Sequence, residues 1–203
     1  ITRPEQILSS LPQAIQTMLD PADCGPATIS MSQDVQGETF DYPEIFFEEK
    51  VHEIRRIHPD PNQIKLAADK IKNSKQPIII SGGGVLYSEA EAELSAFAKK
   101  HNIPVTATVM EIGCMKYDDP YYISAIGCLG EGSSNSLSKD TDLAIAIGTK
   151  LADFTTGSWT NFQNPNFGLV SINITRFDAN KHMAQSVIGD AKVSLNELSH
   201  ALG

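Results

Sequence analysis

Two unbroken apolar runs mark the second two thirds of this chain, Ile78 to Ile80 within PIIIS (Pro77 to Ser81) and Leu143 to Ile147 within DLAIAIG (Asp142 to Gly148), and LVSINI (Leu169 to Ile174) is a third, mostly apolar stretch. A strand with one face in water alternates apolar and polar residues, whereas a continuous Ile, Val and Ala run means that both faces are covered. Helices on both sides of a sheet provide that cover, and sheets so covered are mostly parallel. IPVTATV, Ile123–Ile126 and Ser186–Ile188 supply further strands. Between them lie helical patterns: Ile64, Ala67, Ala68 and Ile71 mark one face, and Ala90, Leu94, Phe97 and Ala98 another, with Lys99 and Lys100 in the last turn facing the carboxyl-end dipole. Alternation over about 140 residues predicts an α/β domain over 61–203, a doubly wound, mainly parallel Rossmann-like sheet with right-handed crossovers. Ser88 and Glu91 are spaced as a capping box for the second of these helices.

The first third reads differently. Thr2 and Glu5 suit a capping box with Pro4 in the first turn, and Pro12 is expected to interrupt the helix and restart it. ATISMS, Ala27 to Ser32, looks like a strand. From Gln36 to Pro61 acids, aromatics and prolines follow without a sustained period, as in an extended linker. Phe46 and Phe47 in it are expected to dock on a neighbouring domain or on the chain's own surface.

With 25 acidic and 16 basic residues in 203, the formal charge is −9, which repels nucleic acid and anionic membrane, and no basic run offsets it. No apolar run reaches the roughly 18 residues that span a bilayer. The opening residues, ITRPEQILSS, lack the form of a signal peptide and an initiator Met, so a segment of a longer chain is expected. Cys24, Cys114 and Cys128 are odd in number, far apart and without CxxC spacing, and the five histidines form no metal-binding pair. Neither a disulfide framework nor a zinc site is expected, and a reducing cytoplasm is the natural setting.

Two glycine clusters are the candidate binding elements. SGGG places Gly82, Gly83 and Gly84 between a strand and a helix, where a phosphate can rest. Gly82 and Gly84 match the start of a G-x-G-x-x-G fingerprint, but Tyr87 occupies the third position, and no acid at the end of the second strand precedes Glu111. The turn is read as structural, with Gly82, Gly83 and Gly84 kept as possible nucleotide contacts. GCLGEGSSNS adds Gly130 to them on the same terms. Glu111 lies in a loop at the carboxyl end of a strand, where a general acid would suit; exposure to solvent is the expectation for a loop acid. GDA at 189–191 precedes a last amphipathic helix and is read as its start. No GxSxG elbow occurs, which sets Ser-His-Asp catalysis aside, and no catalytic residue is assigned. Trp159 is expected under a loop or against another domain.

Three stretches taken together, KQPIIISGGGVLYSEAEAELSAFAKKHNIPVTATV, GCLGEGSSNSLSKDTDLAIAIGTKLADF and IGDAKVSLNEL, resemble the central domain of thiamine-diphosphate-dependent enzymes. The resemblance implies a DHS-like NAD/FAD-binding fold in which some members hold FAD or ADP and others nothing. It implies residues 1–36 as the helix-strand tail of a preceding pyrimidine-binding domain, 37–60 as the interdomain linker and 61–203 as the central domain. Thiamine diphosphate and magnesium would be bound outside this chain, in missing amino- and carboxyl-terminal domains, within a homo-oligomer. ISMSQDVQGETFDYPEIFFEEKVHEIRRIHPDP narrows the likeness to a hydrolase that opens a cyclic diketone formed from myo-inositol, with this domain as its non-catalytic scaffold. A nucleotide-binding regulatory module and the central domain of an acetolactate- or sulfoacetaldehyde-type synthase remain as alternatives. A sirtuin-like deacylase would need a catalytic His and a CxxC pair, and neither pattern is present.

Overall fold

The computed structural model describes residues 1–203, which divide into two compact units, Ile1–Arg55 and Arg56–Gly203.

The first unit is built on helix α1 (Ile7–Leu19), entered through a 3-10 turn at Pro4–Gln6. The cap sits one residue beyond the expected Thr2/Glu5 pair: Gln6 Oε1 accepts from the Thr2 and Arg3 amides at 2.7 and 3.3 Å, while Glu5 pairs with Arg3 at 3.2 Å. Pro12 does not restart the helix. It removes one backbone bond, and α1 runs through it unbroken from Ile7 to Leu19. Nor is Ala27–Ser32 a strand, because no other strand offers it a ladder; the amino terminus of Ile1 donates to the Ser30 carbonyl instead. Phe40, Tyr42, Phe46 and Phe47 pack edge to face and in stacks with centroids 5.0–6.1 Å apart, and Phe47 remains 70% exposed.

The second unit follows the pattern of the apolar runs. Its elements are α2 (Pro61–Asn73), β1 (Pro77–Ser81), α3 (Gly84–Tyr87), α4 (Glu91–His101), β2 (Val105–Ala107), β3 (Tyr122–Ala125), α5 (Gly132–Asp140), β4 (Leu143–Ile147), α6 (Asp153–Thr156), β5 (Gly168–Asn173), α7 (Arg176–Ala179), β6 (Gln185–Ile188) and α8 (Ala191–Leu202). The six strands form one sheet, all neighbours parallel, in the order β3-β2-β1-β4-β5-β6. Strand order reverses between β1 and β4, which are in register from Pro77–Leu143 to Ser81–Ile147.

β1, β4 and β5 feed two cores. Ile79, Ile145, Ile147, Val170 and Ile172 face α2, α4 and α8, where Ala67, Leu94, Phe97, Leu195 and Leu198 meet them. Ile78, Ile80, Ala144, Ala146 and Leu169 face the other way, toward Ile126, Leu151, Phe162 and Phe167. The LAIAI run therefore puts large residues on one face and small ones on the other. Each fully buried Ile contributes about 2–3 kcal/mol of transfer free energy, which is why the strands run apolar without interruption.

The spacing of Ser88 and Glu91 does not produce the expected cap. Ser88 closes α3, with its amide on the Gly84 carbonyl at 3.1 Å, and α4 begins after Ala90. Its last turn does carry Lys99 and Lys100, and Asn102 ends it in the left-handed region at φ 54°. Trp159 packs within its own unit, 5.5 Å from Phe162 and 4.5 Å from His182.

Candidate functional site

The carboxyl ends of β1 and β2 bring together the glycine turn and the loop of Glu111. Gly82 and Gly84 serve a close approach of backbones: a Cβ on Gly82 would lie 2.4 Å from Thr149 Cβ, and one on Gly84 2.6 Å from Gly148 Cα. The turn after β1 and the turn after β4 touch through them, and the Gly84 amide donates to the Gly148 carbonyl at 2.9 Å. Gly83 has no such duty. A Cβ there would meet only Tyr87 Cε2 at 3.5 Å and Glu111 Oε2 at 3.9 Å, ordinary van der Waals distances.

Gly130 is not part of this cluster. It follows β3, with β2 between its strand and β1, and a Cβ on it would strike its own turn, 2.6 Å from the Ile126 carbonyl carbon. The Gly127–Ser136 region is tied down by Asn135, which bonds both the amide and the carbonyl of Gly127 at 2.9 Å and accepts from Asn161 at 3.1 Å. Gly127 itself, at φ 102°, faces the Phe154 carbonyl at a distance no side chain tolerates.

Glu111 overturns the expectation of an exposed acid. It is 0% exposed, and neither carboxyl oxygen has a hydrogen-bond partner. A 3-10 turn, Val109–Glu111, points it inward while the residues on either side face solvent, Met110 at 87% and Ile112 at 64% exposure. Burial pushes its pKa up to about 7; the Leu86 backbone amide pulls the other way and the Glu91 charge adds to the rise. Cys114, 1% exposed, lies in the same loop. Burial raises its thiol, the buried Ser81 hydroxyl partly offsets this, and Glu111 adds to it. The sequence reading weighed Cys114 only as a disulfide or zinc candidate and Ser81 only as a nucleophile, and the signal that could have paired them with Glu111 was their position at strand ends, where open α/β sheets place their sites.

Asp190 of the GDA stretch is fully engaged. Its Oδ1 caps α8 by accepting from the Val193 amide at 3.2 Å, and its Oδ2 takes Arg56 Nη1 at 2.9 Å. The same guanidinium donates to the Ser88 carbonyl at 2.6 Å. No group of three or more His, Cys, Asp or Glu side chains is placed to hold a metal ion.

The residues that build this parallel sheet and its two abutting glycine turns match a known family model. Residues 64–198 fit the thiamine pyrophosphate enzyme, central domain. The chain belongs to that family. Over 202 residues it is 43% identical to the 3D-(3,5/4)-trihydroxycyclohexane-1,2-dione hydrolase of Clostridium perfringens, covering 100% of this chain and 32% of the relative. It is 44% identical to the hydrolase of the same name from Clostridium botulinum, over 100% of this chain and 31% of the relative. The crystal structure of benzoylformate decarboxylase from Polynucleobacter necessarius superposes on it with a TM-score of 0.78 at 22% identity, over 100% of this chain and 38% of that one. At that identity the likeness speaks for the fold. The chain thus spans about a third of the length of the curated relatives it matches. The Asp190 carboxyl, engaged by the Val193 amide and by Arg56, and the lack of any metal-ligating group give this chain no side-chain set that fits a metal-bound diphosphate.

Proposed function

We propose that this chain is the central scaffolding domain of a thiamine-diphosphate-dependent hydrolase that opens the ring of trihydroxycyclohexane-1,2-dione in myo-inositol breakdown. The observation that carries this reading is the extent of the likeness. Identity of 43% runs over 202 residues, through the whole first unit, whereas the family model accounts only for 64–198. The acid-rich, aromatic stretch from Gly37 to Pro61 lies outside that model but inside the 202 residues aligned with relatives of one name.

Residues 1–36 are the tail of a pyrimidine-binding domain, 37–60 the linker and 61–203 the central domain. Thiamine diphosphate and magnesium sit on domains outside these residues, and the enzyme works as a cytoplasmic homo-oligomer. The part played by this chain is mechanical: its rigid sheet holds the catalytic domains at a fixed separation. Gly82, Gly84 and Gly130 serve backbone packing in this reading, and Gly83 is the one glycine of the set free to meet a nucleotide.

The complete gene product decides the matter. Supplied with thiamine diphosphate, magnesium and the cyclic dione, it should consume the dione and release an open-chain deoxy-glucuronate, followed by NMR; the 203-residue chain alone should show no turnover. Turnover of pyruvate to acetolactate, or of sulfoacetaldehyde, with the dione left untouched would replace the substrate.

A further inference from the structure

We infer that the segment Thr108–Cys114 is a proton-operated lid over the carboxyl end of β1, closed while the Glu111 carboxyl is buried and neutral and opened when it ionises. This goes beyond the scaffold reading and does not depend on it.

The geometry of the loop is inverted relative to what water favours. Two apolar side chains, Met110 and Ile112, are displayed at 87% and 64% exposure, and the one acid between them is sealed at 0% with both oxygens unpartnered. A neutral carboxyl tolerates such a place at the cost of unmade hydrogen bonds, whereas an unpaired buried carboxylate does not. The groups around it supply no counter-charge, and the Leu86 amide is the one donor that favours the ionised form. The β1 turn presents Gly83, α3 presents Tyr87 and the Leu86 amide, and the first turn of α4 presents Glu91, a like charge; from its own loop comes Cys114, and Glu111 has no ion pair. The segment is also built to move. Its start is tied to β1 by the Thr108 amide on the Ser81 carbonyl at 2.8 Å, and its far side carries Gly113 at φ 119° with open space around it. Opening would uncover Ser81, Gly83 and Cys114 where the strand order reverses, the place at which sheets of this kind receive ligands.

The direction of the pH dependence follows from the two states. Closed, Glu111 has a pKa of about 7; open, it returns to the ordinary 4.5. The closed form therefore holds the extra proton between these values, and its advantage is complete below pH 4.5 and lost as pH rises toward 7. The opening constant grows tenfold per pH unit in that window, about 300-fold over the 2.5 units separating 7 from 4.5, and is flat above it.

Cys114 reports the opening. In the chain carrying Cys24→Ser and Cys128→Ser it is the one remaining thiol, and alkylation by iodoacetamide requires both an open lid and a thiolate. Thiolate chemistry alone raises the rate about tenfold per pH unit below the thiol's own pKa. The labelling rate should rise roughly a hundredfold per unit from pH 5 to 7 and tenfold per unit from 7 to 8, and Glu111→Gln should reduce the whole range to tenfold. Amide exchange in the unsubstituted chain is the second measure: after correction for intrinsic chemistry, Val109–Cys114 should lose protection up to pH 7 and then level off, while Leu143–Ile147 hold theirs. A tenfold slope throughout in the Glu111 chain, a hundredfold slope surviving in Glu111→Gln, or an equal loss of protection in β4 would overturn the lid.

Discussion

At single residues the most telling contrast lies within three consecutive glycines. Gly82 and Gly84 press against the turn after β4 so closely that any side chain would enter Thr149 or Gly148, and those neighbours are Cβ and backbone atoms with nowhere to go. Gly83, at φ −48° and ψ −23°, sits in ordinary right-handed helical space with room beside it. Gly82→Ala and Gly84→Ala should each destabilise the chain by about 2–3 kcal/mol through overpacking, while Gly83→Ala should change stability by less than about 0.5 kcal/mol. Urea midpoints of the three variants check this, and equal losses at all three would refute the assignment of roles. The sequence marked the run as a turn but could not rank its members, since the partner, Gly148, is 64 positions beyond Gly84. Glu111 was misjudged for a related reason. Val109–Glu111 is too short to show a period, and only the tertiary fold decides which side of a single turn faces inward.

Among the elements, the Arg56 clasp was the feature least visible in advance. The guanidinium bonds the Ser88 carbonyl that ends α3 and the Asp190 carboxylate that starts α8, and it lies 3.7 Å from Glu89. A charge placed 134 residues from its partner leaves no local trace. Asp190 is 6% exposed at its side chain, so Arg56→Ala leaves a buried carboxylate with only the helix cap, which should cost about 1–3 kcal/mol in urea unfolding. Arg56→Lys should recover part of that, because one ammonium cannot reproduce a planar fork. Asp142 is a second such anchor, accepting from Ser74 and from the Lys75 and Gln76 amides, at 2.8 and 3.0 Å, just ahead of β4. Burial opposes ionisation there, but those bonds outweigh it and hold the carboxyl below its usual 3.8. A depressed folded-state pKa means stability present above about pH 4 and lost as the pH falls through the folded value. Acid unfolding of Asp142→Asn should accordingly show a shallower pH dependence below pH 4 than that of the parent chain. The cap expected at Ser88 has the same origin, since the short helix α3 that Ser88 closes is not written in the Ser88–Glu91 spacing, whereas at Pro12 α1 simply runs through the loss of one backbone bond.

At the scale of the whole molecule the parallel sheet was readable because burial on both faces writes itself directly into composition. β1 and β4 are apolar on both sides, β5 adds Leu169 to the second core, and the two cores they feed account for the uninterrupted runs. The first unit carries no such record. Its one helix has no buried residue, Pro4 and Val35 are the only residues of the unit that are fully covered, and Leu11, Ile15, Leu19 and Phe46 line an open groove of about 620 Å³. Stability follows buried apolar area, so the two units should not open together. In native-state hydrogen exchange of the 203-residue chain, amides of Ile7–Leu19 should exchange at least a hundredfold faster than those of Leu143–Ile147, and low urea should release the first unit before the sheet. A single cooperative transition, with α1 protected to the same degree as β4, would mean that the first unit draws on packing its own residues do not contain. The aromatic cluster at Phe40–Phe47 offers the direct probe of that alternative: Phe47→Ala, at a ring already 70% in water, should leave the exchange of α1 unchanged if the unit stands alone.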